Sequence, residues 1–363
     1  MSFIKKGLFI FLSIGVGFLF SILAIILIDK TVLPFLDDAQ VHSPSFKYEN
    51  PSVPSQIHFP ETTLILPTPQ PKYTTEEIAK LLIPDGPGIV LNKIDQDTIE
   101  KTEDLKWFYT NEILGRTIQS KAVARHQLIS KNDVIFNVTY HTDEFARRIT
   151  PIEHPENREK FLAFFGCSFT YGYGVEDNQT LPYYVGKKLN DYYPLNYGVP
   201  GSSINYALAL LQNRDLRKEI SQKNGIGIYM YMDDHLERII GTSFWSTLQP
   251  DSAYYYLDGD QVIRNGNFKT GRPIRTFLYK KLFESNYRKK FNLKYPLRPA
   301  DDDKKLACSM LEQLQKEFLK QFPASKFYVG FYPQANRDFD SITTCLIKKN
   351  VRFLDLRNAY ELT

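Results

Sequence analysis

An apolar run that stops abruptly at a glycine and a serine constrains the fold more than any other part of this sequence. Residues 161–165 are all apolar, and Gly166, Cys167 and Ser168 follow them directly. A short buried run that ends in a tight turn is typical of a strand in an α/β fold, whose ligand sites lie at the carboxyl ends of the strands. Glycine permits the sharp turn and a close approach to substrate. The pattern therefore predicts a sheet that presents the Ser168 hydroxyl at its carboxyl edge.

The chain after this point alternates between strand-like and helix-like segments. Apolar residues recur at helical spacing in 204–211 and in 306–318. The further predicted strands are Leu195–Tyr197, Ile226–Met232, Phe327–Phe331 and Val351–Leu354. Strands that alternate with helices form parallel sheets covered on both faces. We therefore expect residues 159–363 to form a three-layer α/β/α domain with a doubly wound parallel sheet.

Residues 243–299 interrupt this alternation and are predicted to be an insertion that covers the sheet edge. The insertion contains a predicted hairpin, Tyr254–Ile263, which turns at Asp258-Gly259-Asp260, and a basic helix near Arg275–Lys290. Its aromatic residues could stack on sugars or could belong to the core, and the core is the favoured interpretation. These residues are Trp245, Tyr254, Tyr255 and Tyr256.

Residues 73–158 precede the domain and are predicted to form a small, mostly-β accessory region. Thr74-Thr75-Glu76-Glu77 resembles a capping box that opens a short helix. Val134–Tyr140 alternates apolar and polar residues in the manner of a strand. We expect this region to pack against the domain that follows it.

The first thirty residues predict a transmembrane anchor. Lys5 and Lys6 precede an uncharged stretch from Gly7 to Ile28, which exceeds the roughly 20 apolar residues that a spanning helix needs. The lysines place the N-terminus in the cytoplasm, so the rest of the chain would lie outside it, and a periplasmic location fits such an anchor. Prolines throughout residues 31–72 favour an extended stalk between the anchor and the folded part.

The charge balance argues against a nucleic-acid partner, and the cysteine count argues against a fold held by several disulfides. The net charge is only +4, from 45 basic and 41 acidic residues, so no nucleic-acid partner is expected. The three cysteines, Cys167, Cys308 and Cys345, do not indicate a disulfide framework. A Cys308–Cys345 pair outside the cytoplasm stays open. No cofactor is expected.

The segment Gly166–Gly172, with the sequence G-C-S-F-T-Y-G, resembles the first block of the SGNH (GDSL) hydrolase family, G-D-S-x-T-x-G. Cys167 replaces the aspartate of that block. The resemblance implies that Ser168 is the nucleophile and that its backbone N–H helps to bind the oxyanion. It also implies five parallel strands in the flavodoxin-like order and hydrolysis of acyl esters.

Two further blocks follow in the family's order. In Asn196–Ser203, the resemblance makes Gly201 a second oxyanion donor. The third block is Tyr231-Met232-Asp233-Asp234-His235, in which Asp233 stands where the family has an asparagine that donates to the oxyanion. An ionised carboxylate only accepts hydrogen bonds, so Asp233 could orient a neighbour instead, or Asp234 could hold His235. No second cluster of ligands accompanies this segment, so no metal is expected.

The family's last block, D-x-x-H, is absent after the fifth predicted strand. Only His235 follows Ser168, and a serine hydroxyl needs an adjacent base. Three explanations stay open: a longer form carries the block, His235 acts as the base, or the chain only binds its ligand. The implied function is a membrane-anchored serine esterase for acyl esters, with carbohydrate and lipid esters as the candidate substrates. The alternatives are an O-acyltransferase of cell-surface polysaccharide and an inactive SGNH-like envelope binding protein.

Overall fold

The computed structural model describes residues 98–102, 107–130, 133–286, 288, 294–332 and 337–357. The predicted anchor (1–30), the stalk (31–72) and the capping box at Thr74 lie outside these residues. Every helix within them is too short or too polar to cross a bilayer.

The accessory region consists of antiparallel strands. Strands β1 (Thr98–Thr102), β4 (Val123–Ser130) and β5 (Asp133–His141) form a three-stranded sheet, and β2 (Phe108–Asn111) pairs with β3 (Gly115–Ile118). The strand predicted over 134–140 is confirmed by β5. Its alternating burial follows from the alternating sequence, because successive side chains point to opposite faces.

A five-stranded parallel sheet forms the centre of the domain. Its strands are β6 (Lys160–Gly166), β7 (Tyr192–Gly198), β8 (Gly225–Tyr231), β11 (Lys326–Phe331) and β12 (Phe353–Asp355). They lie in the order β12-β11-β8-β6-β7, and every pairing is parallel. This is the flavodoxin-like order, with β6 and β8 as neighbours at the switch point. The predicted parallel sheet and its strand order are confirmed.

Helices cover the two faces of this sheet unequally. One face packs under α3 (Ile204–Asn213), α8 (Asp301–Gln321) and α9 (Phe339–Lys348). The other face, with Leu162, Phe164 and Met230, packs against α2 (Leu181–Lys188). Two short helices follow strand ends at the carboxyl edge: α1 (Ser168–Tyr171) and α4 (Asp234–Ile240). The strands are apolar on both faces because both faces are covered.

The insertion between α4 and α8 contains the predicted hairpin. It begins with α5 (Trp245–Leu248), continues through β9 (Ala253–Asp258) and β10 (Gln261–Asn267), and ends with α6 (Phe268–Gly271) and α7 (Pro273–Glu284). The antiparallel pairing of β9 with β10 confirms the hairpin. The hairpin packs on the helical layer, where the Asn205 side chain donates to the Ala253 carbonyl at 3.0 Å. This contact places the hairpin beside α3 rather than on the central sheet.

Two long-range links hold the outer parts of the fold. A disulfide joins Cys308 of α8 to Cys345 of α9, with a Cα–Cα distance of 6.3 Å. This pairing was left open by the sequence. On the opposite side, Arg148 forms an antiparallel bridge with Asn196 of the edge strand β7. The accessory region is thereby attached directly to the central sheet.

Candidate active site

The three segments singled out in the sequence meet at the carboxyl edge of the sheet. Strand β6 lies between β7 and β8, so their ends are neighbours. The Ser202 hydroxyl donates to the Gly166 carbonyl at 2.9 Å, and Cys167 Sγ lies 3.4 Å from Met232 Sδ. In open α/β sheets, ligands bind at this carboxyl edge.

Ser168 begins α1 directly after the turn at the end of β6. Gly166 has a φ of 153°, and a Cβ there would lie 2.2 Å from Thr170 Oγ1, so only glycine fits this turn. Ser168 is 3% exposed. Its hydroxyl makes no hydrogen bond with the described residues. The hydroxyl oxygen keeps some exposure to solvent, whereas Ser309 Oγ, which also lacks a partner among them, is fully buried. The structure thus leaves a hydroxyl without a partner at the sheet edge.

Two backbone amides at this edge also lack acceptors within the described part of the chain. The N–H of Ser168 lies at the first position of α1, where an intrahelical acceptor does not exist. The N–H of Gly201 lies in the turn between β7 and α3. Gly201 has a φ of 82°, and a Cβ at this position would lie 2.5 Å from Gln249 Nε2. Unpaired amides beside a hydroxyl can stabilise negative charge that develops on a carbonyl oxygen.

The buried side chain of Arg238 contacts the turn that contains Gly201. Arg238 Nη1 donates to the Ser202 carbonyl at 2.7 Å, and its guanidinium lies 4.4 Å from the centre of the Trp245 ring. Its Nη2 is 3.6 Å from Asp234 Oδ2. Asp234 therefore pairs with Arg238 in α4 and makes no hydrogen bond to His235 among the described residues.

Asp233 lies at the end of β8, and its carboxylate is engaged by the segment that precedes α9. Its Oδ2 accepts the backbone N–H of Arg337 at 2.9 Å. The Arg337 guanidinium also pairs with Glu237 at 3.4 Å and with Asp338 at 3.3 Å. Burial opposes the charge on Arg337, but the carboxylates of Glu237, Asp233 and Asp338 raise its pKa overall. The position that donates a hydrogen bond in the family is thus an acceptor in this chain.

His235 lies in the core, away from the hydroxyl of Ser168. It is fully buried, and its Nδ1 is 2.8 Å from the Tyr229 hydroxyl. Burial, reinforced by Arg238, lowers the pKa of His235 well below its ordinary value. Its Nε2 has no partner among the described residues, and none of their hydrogen bonds joins a histidine to Ser168. The structure therefore brings Ser168, Gly201 and Asp233 to one edge but does not bring His235 to the Ser168 hydroxyl.

Arg148 of the accessory region also contributes to the site, and the sequence analysis missed it. Arg148 is 1% exposed. Its guanidinium donates to the Tyr171 carbonyl at 2.9 Å and to the Val175 carbonyl at 2.6 Å, and also to the Gly172 carbonyl. It pairs with Asp177 at 2.9 Å. Arg148 thereby holds the loop that follows Ser168. Nothing in its local sequence distinguishes it from a surface arginine.

Metal ligands are not clustered in the described ranges. No group of three or more His, Cys, Asp or Glu side chains there could hold a metal ion. The Asp233-Asp234-His235 run does not converge on one point, since its side chains bond to Arg337, Arg238 and Tyr229.

Comparisons with known proteins give matches among solved structures only. No family model matches the sequence, and no curated protein does. The chain is similar to the crystal structure of AlinE4, an SGNH-hydrolase family esterase, at 13% identity and a TM-score of 0.30, over 56% of this chain and 79% of that chain. Two point variants of AlinE4 match at 12% identity, with TM-scores of 0.31 and 0.30 and the same coverage of both chains. At this identity and TM-score, the similarity assigns no activity to this chain.

Proposed function

We propose that this chain is a membrane-anchored serine esterase of the SGNH type, which acts on acyl esters outside the cytoplasm. One observation carries the proposal: an unpaired Ser168 hydroxyl and the unpaired amides of Ser168 and Gly201 share the carboxyl edge of one sheet. A nucleophile beside oxyanion donors is the minimum that acyl transfer requires.

The reaction would proceed through an acyl-enzyme. Ser168 Oγ forms a bond to the ester carbonyl carbon as its proton passes to a base, and the carbonyl oxygen becomes an oxyanion held by the amides of Ser168 and Gly201. Collapse of this intermediate breaks the bond to the alcohol, which leaves with a proton. Water then attacks the acyl-enzyme and releases the carboxylic acid. No described histidine bonds to Ser168, so the hydrogen bonds of the described residues do not identify this base.

The proposed location outside the cytoplasm has two supports. The lysines before Gly7–Ile28 favour a cytoplasmic N-terminus and an external domain. The disulfide between Cys308 and Cys345 favours an oxidising compartment, because thiols are kept reduced in the cytoplasm.

A second candidate is a binding protein that keeps the fold but has lost turnover. The position of His235 favours it, since this ring is fully buried and makes no hydrogen bond to Ser168 among the described residues. Asp233 favours it as well, because a carboxylate next to the site opposes an oxyanion.

Hydrolysis of p-nitrophenyl acetate and labelling by a fluorophosphonate test the proposal on the full chain in a mild detergent. We expect Ser168→Ala to abolish both, by at least a hundredfold in rate. Ser221→Ala, which changes an exposed loop serine, serves as the control and leaves both unchanged. A wild-type chain that neither hydrolyses the ester nor reacts with the fluorophosphonate supports the binding protein. Hydrolysis that persists in Ser168→Ala would refute the serine mechanism.

Added polysaccharide distinguishes the acyltransferase, because transfer would acetylate the sugar.

A further inference from the structure

The side chain of Gln249 lies against the turn that contains Gly201, and the sequence analysis did not identify it. Gln249 directly follows α5, in the insertion, and it is half-buried. If Gly201 carried a Cβ, that atom would lie 2.5 Å from Gln249 Nε2 and 3.9 Å from Gln249 Oε1. The amide nitrogen is therefore the part of Gln249 nearest to a residue that supplies one of the proposed oxyanion donors.

The two ends of the Gln249 amide group differ in how they are bonded. The Ser252 hydroxyl donates to Oε1 at 3.2 Å, which directs Nε2 toward Gly201. The Nε2 group makes no hydrogen bond with the described residues and keeps some exposure to solvent. Because an amide NH₂ group offers two donors, Gln249 has unused donors beside Gly201.

Buried contacts connect the segment that carries Gln249 to the Gly201 turn. Arg238 Nη1 donates to the Ser202 carbonyl at 2.7 Å, and the same guanidinium lies 4.4 Å from the centre of the Trp245 ring. Trp245 is 5% exposed, and its carbonyl accepts the backbone N–H of Gln249 at 2.9 Å. Arg238 thus contacts both the residue after Gly201 and the first residue of α5. A donor that is already held in place needs little rearrangement when charge develops beside it.

We propose that Gln249 is a catalytic residue whose Nε2 donates a hydrogen bond to the oxyanion, together with the amides of Ser168 and Gly201. In the SGNH family a third donor comes from an asparagine at the position where this chain has Asp233. A neutral glutamine amide can donate as asparagine does, whereas an ionised carboxylate cannot. The insertion would thereby replace a donor that the end of β8 lacks. This inference rests on the proposed function, because it adds a group to the same site.

Steady-state hydrolysis of p-nitrophenyl acetate by the full chain in a mild detergent tests the inference. We expect Gln249→Ala and Gln249→Glu each to lower kcat by at least about tenfold and to change KM by less than about twofold, because the oxyanion forms in the transition state and not in the bound ester. Gln249→Glu keeps the size of the side chain while it replaces the donor by an acceptor. Gln261→Glu makes the same change at an exposed glutamine of β10, and this matched control should leave kcat unchanged.

A residue that only supports the fold would lower stability without this separation of kcat from KM. Thermal unfolding followed by circular dichroism identifies a temperature at which the variants are folded, and Gln249→Glu decides the result if Gln249→Ala does not fold. A smaller decrease in kcat than expected in folded Gln249→Glu overturns the inference, and so does a loss that appears in KM. An equal loss in Gln261→Glu also overturns it, because the added charge would then account for the effect.

Nuclear magnetic resonance keeps this test separate from that of the proposed function. A wild-type chain that neither hydrolyses the ester nor reacts with the fluorophosphonate refutes the esterase, and the side-chain amide signal of Gln249 then decides the inference. In a chain made with isotope-labelled glutamine, this signal is assigned by its loss in Gln249→Ala. Acetate, the acid that hydrolysis would release, should shift the Gln249 signal and leave that of Gln261 in place. A Gln249 signal that acetate does not move overturns the inference. Hydrolysis that Gln249→Glu leaves intact supports the esterase and likewise overturns the role of Gln249.

Discussion

At the scale of a single residue, the carboxylate of Asp233 limits how well the proposed site could stabilise an oxyanion. It stands at the end of β8 and accepts the backbone N–H of Arg337. An asparagine at this position could keep that bond through its oxygen while its NH₂ group donates toward the site. In the proposed mechanism, a carboxylate at position 233 would remove one donor to the oxyanion.

We expect Asp233→Asn to raise kcat for p-nitrophenyl acetate by about tenfold or more, because one oxyanion donor is typically worth 10²–10³ in kcat. Asp340→Asn removes an exposed carboxylate from the first turn of α9 and serves as the control for net charge. A rate that stays the same or falls in Asp233→Asn would show that position 233 does not face the oxyanion.

The buried ring of His235 predicts how stability depends on pH. Because burial lowers its pKa in the folded chain, the unfolded chain takes up a proton near the ordinary value of 6.5 while the folded chain does not. The free energy of unfolding should therefore decrease below about pH 6.5, by up to about 1.4 kcal/mol per pH unit from this residue. Urea unfolding at pH 7.5 and 5.5 measures it. His235→Gln, which cannot titrate, should show a smaller decrease, and an equal decrease in both proteins would contradict the assignment.

Single residues also mark the limit of what the sequence predicts about the site. Ser168 and Gly201 could be located because a hydroxyl after a buried strand and a glycine before a helix have local signatures. The lowered pKa of His235 depends on burial and on Arg238, and both are in place only after folding. Arg148 acts through carbonyl groups of residues 171–175, so no side-chain pattern in the sequence could reveal it.

At the scale of elements, the loop between α1 and α2 depends on the accessory region. Besides Arg148, the Tyr140 hydroxyl accepts the Gly174 N–H at 2.8 Å, and His141 Nδ1 lies 2.7 Å from Asp177 Oδ2. The loop that follows α1 is thus held from one side by β5 and the residues after it.

We expect Arg148→Ala to lower the free energy of unfolding by about 3–5 kcal/mol, because it leaves Asp177 and three carbonyl groups without their buried partner. The reaction of Ser168 with the fluorophosphonate should slow in parallel at temperatures where the variant is folded. Arg148→Lys keeps the charge but loses the planar fork, so it should recover only part of both losses. Arg217→Ala, at an exposed ion pair, is the control. Unchanged labelling in folded Arg148→Ala would limit this residue to stability.

The strands of the central sheet were predictable to within a few residues because most of them are buried apolar runs between turns. A helix between β6 and β7 was predicted from the alternation, but the bounds of α2 (Leu181–Lys188) were not, since the segment contains Pro182 and Gly186 and only two aliphatic residues, Leu181 and Val185. The hairpin of the insertion was predictable from its Asp-Gly turn. Its packing on the helical layer was not, because it depends on partners such as Asn205 that are distant in the chain.

At the scale of the whole molecule, the disulfide joins the helix that precedes β11 in the chain to the helix that follows it. Cys308 and Cys345 are 37 residues apart, and closing a loop of that length stabilises a fold by roughly 3–4 kcal/mol. We expect Cys308→Ala with Cys345→Ala to lower the midpoint of thermal unfolding. A reductant should lower that of the wild type to a similar value and leave the double variant unaffected. If the reductant has no effect on the wild type, the cysteines are not paired in the protein as it is made.

The alternation of strands and helices predicted a parallel sheet covered on both faces, whereas the flavodoxin-like order was implied only by the resemblance to SGNH hydrolases. The way in which the accessory region packs against this sheet could not be predicted from the sequence. It rests on contacts such as Arg147 with the Tyr197 hydroxyl at 3.3 Å, and these join residues that are far apart in sequence.

The bridge between Arg148 and Asn196 has a consequence for how this protein can be divided. Strand β7 is the last in its sheet, and an uncovered flank with free N–H and C=O groups invites a strand from another molecule. A shortened form that starts after residue 158 would remove the cover from that flank. We expect such a fragment to self-associate by strand pairing, and residues 107–158 would then shield β7 from other copies of the chain as well as support the sheet.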